Sequence, residues 1–254
     1  MPPWASTPQR LKNSSRCVNR LPRPECIGVD GCPGGWFAVS SRGEFQLFAA
    51  FNELLDWAGT AQIYIDIPIG LPETRPRTVE VSARALLTGK SSSVFSIPCR
   101  TAVYADDYET ACQHNLAAFG RKLSLQSWYI CRKIREVDTS IRLLPALAQQ
   151  LCESHPELTF QLLNSNQPLR HSKKTQAGID ERISILADQL PDPQALYDEA
   201  SARYRRSKLG RDDIVDAMAL MSLGRQDTMI LEDDSGADEF GTPICMVLPR
   251  AATV

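Results

Sequence analysis

The chain has 254 residues, 43% hydrophobic and 23% charged, which is enough to bury a sizeable core and ordinary for a globular protein. Its 28 Lys and Arg against 30 Asp and Glu leave a net charge of −2, which excludes a general nucleic-acid coat but not an enzyme that grips nucleic acid along one local groove. No apolar run approaches the ~20 residues that span a bilayer, and the eight cysteines show neither CxxC nor zinc-ribbon spacing, so reduced thiols in a cytoplasmic protein are expected rather than a zinc site.

Residues 1–24 hold Pro, Ser and Arg, no acidic residue and no signal-peptide apolar core. They read as a disordered extension, with a transit peptide or a mis-assigned start as alternatives; the folded domain is expected over 25–254. It opens on Cys26-Ile27-Gly28-Val29-Asp30-Gly31, an apolar run ending on a carboxylate, which fits a buried strand. An Asp at the exit of a buried strand needs a partner, usually a cation. Gly31-Cys32-Pro33-Gly34-Gly35 makes a loop whose backbone allows a ligand close, and Trp36 to Ser40 is a second strand. A third strand, Phe45 to Ala49, forms a hairpin with it. Asn52 is the expected cap of a short helix carrying Leu54, Leu55 and Trp57, closed by Gly59.

Gln62 to Pro68 is a strand with Ile63, Ile65 and Ile67 on one face and Asp66 near its end. A β–α–β crossover makes it parallel to the first, so Asp30 and Asp66 fall at the carboxyl ends of parallel strands, where ligands collect in α/β sheets. From about 75 to 150 the strand signal fades. Ile130, Ile134, Val137 and Ile141 recur at helical spacing, and the region is expected to be a largely helical insertion. The sheet resumes at Leu151 to His155, and Pro156 starts a helix or loop. Thr175 caps a helix with a stripe of Ile179, Ile183, Leu186 and Leu190. Asp212 begins another, with Asp213 and Asp216 on one face. Leu231 to Asp238 is acidic and expected as loop; Ile244 to Leu248 is expected as an edge strand.

Five acids therefore stand out: Asp30, Asp66, Glu153, Asp213 and Asp216. Phosphodiester hydrolysis by two divalent ions about 4 Å apart needs such a convergence of carboxylates. With only three histidines in the chain, carboxylate ligands point to Mg²⁺ or Mn²⁺. The bland alternatives are a capped glycine turn at Asp30, a strand-end turn at Asp66, a paired structural acid at Glu153 and helix N-terminal acids at Asp212, Asp213 and Asp216. Arg203, Arg205, Arg206, Lys208 and Arg211, like Lys173 and Lys174, either hold phosphates or form a solvated charged stretch. Gly89-Lys90-Ser91 ends like a P-loop, but its first glycine would fall on Arg84; no GxSxG elbow is present.

With these residues in view, the chain resembles the DUF429 family, a group of predicted ribonuclease-H-like nucleases, from about Ile27 to Arg225. The matching stretches are Gly28-Val29-Asp30-Gly31-Cys32 with Gly34-Gly35-Trp36, Ile65 to Pro72, Ser92 to Phe95 with Pro98 and Arg100, Leu123 to Gln126, Lys133 to Asp138, Glu153 to Glu157, Ser172-Lys173-Lys174 with Gly178 and Arg182, and Asp212-Asp213 with Asp216-Ala217. Ser154 stands where an aliphatic residue is usual, and Glu80 where an Asp is. The resemblance implies a ribonuclease-H-like mixed five-stranded sheet flanked by helices, with a helical insertion between its fourth and fifth strands. It also implies that Asp30, Asp66, Glu153, Asp213 and Asp216 face one cleft, with Arg100, Glu136, His155 and Lys174 as further candidates.

The expected function is a divalent-metal-dependent nuclease. The alternatives are a phosphohydrolase or phosphotransferase acting on a nucleotide or small phosphorylated compound, and a non-catalytic binding module. Nucleic acid is a candidate substrate, no membrane partner is expected, and nothing in the sequence sets the oligomeric state.

Overall fold

A computed structural model describes residues 25–250, so the expected extension over 1–24 lies outside the described residues. The first strand, β1 (Cys26–Cys32), pairs antiparallel with β2 (Gly35–Ser40), which pairs antiparallel with β3 (Phe45–Phe48). Helix α1 (Phe51–Ala58) then crosses to β4 (Gln62–Ile65), which lies parallel to β1, and β5 (Leu151–Glu153) adds in parallel to β4. The sheet order is β3-β2-β1-β4-β5, and ten helices flank it among the described residues. The fold is a ribonuclease-H-like mixed α/β architecture.

Five helices lie between β4 and β5: α2 (Val79–Leu86), α3 (Arg100–Val103), α4 (Tyr108–Phe119), α5 (Leu125–Leu143) and α6 (Leu147–Gln150). After β5 come α7 (Pro156–Leu163), α8 (Gln176–Ala187), α9 (Pro193–Arg203) and α10 (Arg211–Ser222). Thr175 caps α8 by accepting from the Gly178 N–H at 3.1 Å, and Pro156 takes the first position of α7. None of the described helices is long and apolar enough to cross a membrane.

Both faces of the sheet are covered, which is why its strands read as apolar runs rather than clean alternations. On one face Ile27, Val29, Ile63, Ile65 and Leu151 pack with Leu54 of α1 and Ile134 and Val137 of α5. On the other, Cys26, Phe37 and Val39 pack with Ile214, Val215 and Met218 of α10 and with Ile179 and Leu186 of α8. Helix α10 meets β1 backbone to backbone at Gly28: a Cβ there would lie 2.0 Å from the Ala217 carbonyl oxygen and 2.2 Å from the Met221 nitrogen. Only glycine permits that approach.

Three local expectations differ from the structure. Helix α1 starts at Phe51, with Ala50 rather than Asn52 at its cap. Burial of Phe51 against Trp36, ring centroids 5.1 Å apart, draws the first turn inward, and Glu53 reaches back to the N–H groups of Ala49 and Ala50. The acidic stretch from Leu231 is not loop but lies in strand β6 (Thr228–Ala237), which pairs antiparallel with β7 (Pro243–Pro249). The strand expected over Ile244 to Leu248 thus exists, but in a separate two-stranded sheet rather than at an edge of the main one. Ile244, Met246 and Leu248 pack on Val79 and Ala83 of α2 and Leu158 and Leu162 of α7. The acids of this hairpin have distant partners: Asp233 accepts from the N–H groups of Thr78 and Val79, capping α2, and Asp238 pairs with Arg100 at 2.5 Å.

Candidate functional site

The pairing register builds the site. Val29 on β1 faces Ile65 on β4, so Asp30 and Asp66 are the next residues along two parallel strands, and the Asp66 N–H donates to the Val29 carbonyl at 3.2 Å. By the two-residue period of a strand, Cys26, Gly28 and Asp30 point toward α10, as do Tyr64 and Asp66. Helix α10 runs antiparallel to β1: Gly224, just past its end, abuts Cys26, Ala217 and Met221 abut Gly28, and the first turns carry Asp213 and Asp216 to Asp30.

Four carboxylates from β1, the end of β4 and α10 therefore converge: Asp30, Asp66, Asp213 and Asp216. The positive charge among them is Lys173, from the segment before α8. Its Nζ lies 2.5 Å from Asp216 Oδ2 and 3.9 Å from Asp212 Oδ2. Lys174 pairs with Asp212 at 2.5 Å. Asp213 Oδ2 accepts from the Gly210 N–H at 2.9 Å and closes the N-terminus of α10. Asp216 is fully buried, and its Oδ1 has no hydrogen-bond partner among the described residues.

The charge crowding raises proton affinities. Burial, then the charges of Asp213, Asp216 and Asp66, hold the Asp30 carboxyl well above its usual range. Burial pushes Asp66 up to about 7, against the pull of Lys173 and with the help of Asp216. Asp213 rises to about 6 through burial and the neighbouring Asp212. Asp216 is raised by burial although Lys173 opposes it. Burial works against the charge on Lys173, but Asp216 and Asp30 outweigh it and hold the ammonium protonated.

Glu153 has other partners. It is registered with Ile65, so it leaves its strand on the face opposite Asp66, yet its side chain lines the same cavity as Asp30 and Asp66. There Oε1 accepts from Arg77 Nη2 at 2.6 Å and Oε2 from the Ile69 N–H at 2.7 Å. Arg77, itself buried, also bridges Glu80 and donates to the Ile69 and Gly70 carbonyls. This network fixes the turn that follows Asp66. Ser154, just past β5, donates its N–H to the Ile65 carbonyl at 3.0 Å.

Arg100 is bound by Asp138 at 2.6 Å and by Asp238, and Glu136 accepts from Trp36 Nε1 at 2.9 Å; both brace the fold. His155 Nδ1 accepts from the Leu158 N–H at 3.3 Å while Nε2 faces the Ser93 carbonyl at 3.4 Å, which requires the Nε2–H tautomer. Burial lowers its pKa and favours that neutral form. Lys133, on α5, was singled out by no spacing in the sequence. Its Nζ donates to the Gly35 carbonyl at 2.5 Å and lies 4.4 Å from the Trp36 ring centre, tying the glycine turn after Asp30 to the insertion. Lys173 was legible only as one of several basic residues; the signal for its role is that buried carboxylates require a cation.

Two cavities flank the cluster. One, of about 170 Å³, is lined by Asp30, Asp66, Ile67, Val94, Phe95 and Ile130 among others. The other, of about 390 Å³, is lined by Lys173, Lys174, Arg206, Arg211, Asp212 and Asp213 among others.

In donor chemistry the cluster fits a hard divalent ion. Its candidate donor atoms are all oxygen, Asp216 Oδ1 is buried without a donor among the described residues, and Lys173 is the cation paired with the four raised carboxylates, with Arg182 and Lys133 acting from further off. Yet among the described residues no three His, Cys, Asp or Glu side chains are drawn together into a coordination set. The carboxylates repel one another while Lys173 supplies the positive charge.

No curated protein and no solved structure matches the chain. A family model, DUF429, whose description is a protein of unknown function, matches residues 28–229, most of the chain, and the protein belongs to that family.

Proposed function

We propose that this protein is a Mg²⁺- or Mn²⁺-dependent nuclease whose ligands are Asp30, Asp66, Asp213 and Asp216. The observation that carries the reading is the meeting of these acids from two parallel strands and a helix, with a buried Asp216 oxygen left without a donor. A divalent ion at such a site activates water and neutralises the charge developing on a phosphodiester. The chain's own residues set the stage for it. Gly28 lets α10 bring Asp213 and Asp216 to Asp30, Glu153 and Arg77 fix the backbone after Asp66, and Lys173 holds the cluster together without metal. Arg205, Arg206 and Lys208 stand exposed on the segment leading into α10, where they suit phosphates of a bound strand. The seven described cysteines are free, which fits the reducing cytoplasm.

The test is calorimetric titration of Mn²⁺ into the wild type and Asp30→Asn, with parallel cleavage assays on single-stranded and duplex oligonucleotides. Binding and cleavage in the wild type, both lost in the variant and in EDTA, are the expected results. Full cleavage by Asp30→Asn, or in EDTA, overturns the assignment. Hydrolysis of small phosphomonoesters alone would move the same acids to the small-compound alternative.

A further inference from the structure

The two cavities flanking the acids are unlike in chemistry. The larger has a basic rim, suited to a sugar-phosphate backbone. The smaller is walled largely by the apolar side chains of Ile67, Val94, Phe95, Ile97, Ile130 and Met246, a poorer match for a phosphate or a sugar than the basic rim. Asp30 and Asp66 lie on its polar side, which Glu80, Lys133, Glu153 and His155 also line. Ser93 Oγ, also in its lining, is buried and has no hydrogen-bond partner among the described residues. A chamber with apolar walls, an unsatisfied hydroxyl and a polar side suits a flat ring that has apolar faces and a hydrogen-bonding edge.

The chamber is built, not an accident of a loose loop. Arg84 Nε donates to the Val94 carbonyl at 2.9 Å and Arg84 Nη2 to Ser96 Oγ at 2.8 Å, which holds the residues on both sides of Phe95. The acids lie deep: Asp30 is 8% exposed and Asp216 fully buried. A nucleotide turned out of the stack can bring its phosphate down to Asp30 more readily than one held in a stacked duplex.

We propose that this cavity is a nucleobase pocket. It takes one unstacked base of a single-stranded or locally opened nucleic acid, seated against Phe95 with its edge toward Ser93. The attached phosphodiester then lies over Asp30 and Asp66, and the strand continues along the basic cavity. The inference rests on the nuclease reading for the phosphate and on the apolar cavity for the base.

The probe is 2-aminopurine, whose fluorescence falls on stacking, measured in EDTA so that no metal is needed. It is offered as the free riboside, within a single-stranded tetranucleotide, and within the same strand annealed to its complement. A base-free tetranucleotide of equal phosphate number competes for binding. Saturable quenching of the riboside and the single strand is expected, with the duplex and the base-free strand at least about tenfold weaker. Phe95→Ala should weaken the single strand by on the order of tenfold, and Phe95→Leu, which keeps the volume and loses the aromatic face, by less. Equal binding of base-bearing and base-free strands, no quenching at all, or unchanged binding by a folded Phe95→Ala or Phe95→Leu protein overturns the proposal. Quenching of the riboside alone would make the ligand a free nucleoside or nucleotide and overturn the strand assignment. The two readings fail separately: base capture without Mn²⁺ binding removes the nuclease, and Mn²⁺ binding without base capture removes the pocket.

Discussion

Replacing Asp66 by Asn removes a charge that the metal-free fold resists. Burial and its neighbours raise the Asp66 carboxyl from 3.8 to about 7. Because its folded pKa lies above its unfolded one, the unfolded chain gives up this proton first as pH rises. Ionisation therefore costs folding stability, a cost that builds from about pH 4 and is complete above pH 7. The shift of about three units corresponds to roughly 4 kcal/mol at pH 8. Asp66 is only half-buried, so solvent screening reduces this to about 2 kcal/mol. In a chain of this size that is about 4–8 °C in melting temperature. Calorimetric melts in EDTA at pH 8 should show Asp66→Asn above the wild type by that margin, with less than half the gap left at pH 5. Mn²⁺ at pH 8 should raise the wild type and leave the variant unmoved. A variant no more stable than wild type at pH 8, or a gap indifferent to pH, refutes the reasoning.

Lys173→Met leaves the fully buried Asp216 without its cation, and the lysine is a third exposed, so a loss of about 2–3 kcal/mol is expected at pH 8 in EDTA. The loss should shrink toward pH 5 as the acids take up protons, which melts across that range would show. Arg77→Met strands Glu153 on the far face and should cost about 3–5 kcal/mol in urea unfolding, with Glu153→Gln added to it restoring part. Gly28→Ala forces a methyl against three backbone atoms of α10 and should cost about 3 kcal/mol or more, or abolish soluble protein, as read by denaturation and yield.

The strands bearing Asp30 and Asp66 are legible in the sequence because each is an apolar run broken by an acid and then by glycine or proline. The helix bearing Asp213 and Asp216 is legible from the spacing of the acids. What spacing cannot supply is register. Which face of the sheet Glu153 leaves from turns on a single-residue offset between β4 and β5; the observed pairing sets it opposite Asp66, from where it still lines the cavity shared with Asp30 and Asp66. Strand β6 was hidden for another reason. Asp233 reads as a loop former, but its carboxylate is satisfied by Thr78, 155 residues earlier, which no local pattern reveals. Lys173 and Asp216 are 43 residues apart, and their pairing is likewise a product of the fold.

The close approach of α10 to β1 also sets when the site can exist. The Cys26 thiol reaches the Met221 carbonyl across 195 residues of sequence, so the first strand to be synthesised waits for nearly the last helix. Contacts of such separation slow folding, since the loop must close before they contribute. On the ribosome, Asp30 and Asp66 emerge long before Lys173 and α10 can cover them. Until then the face of β1 and β2 that α10 covers, with Phe37 and Val39, stays open. A chain broken between Glu153 and Arg211 would keep the five strands of the main sheet and two of the four acids yet lack the cover, so the four acids come together only in chains whose synthesis has passed α10.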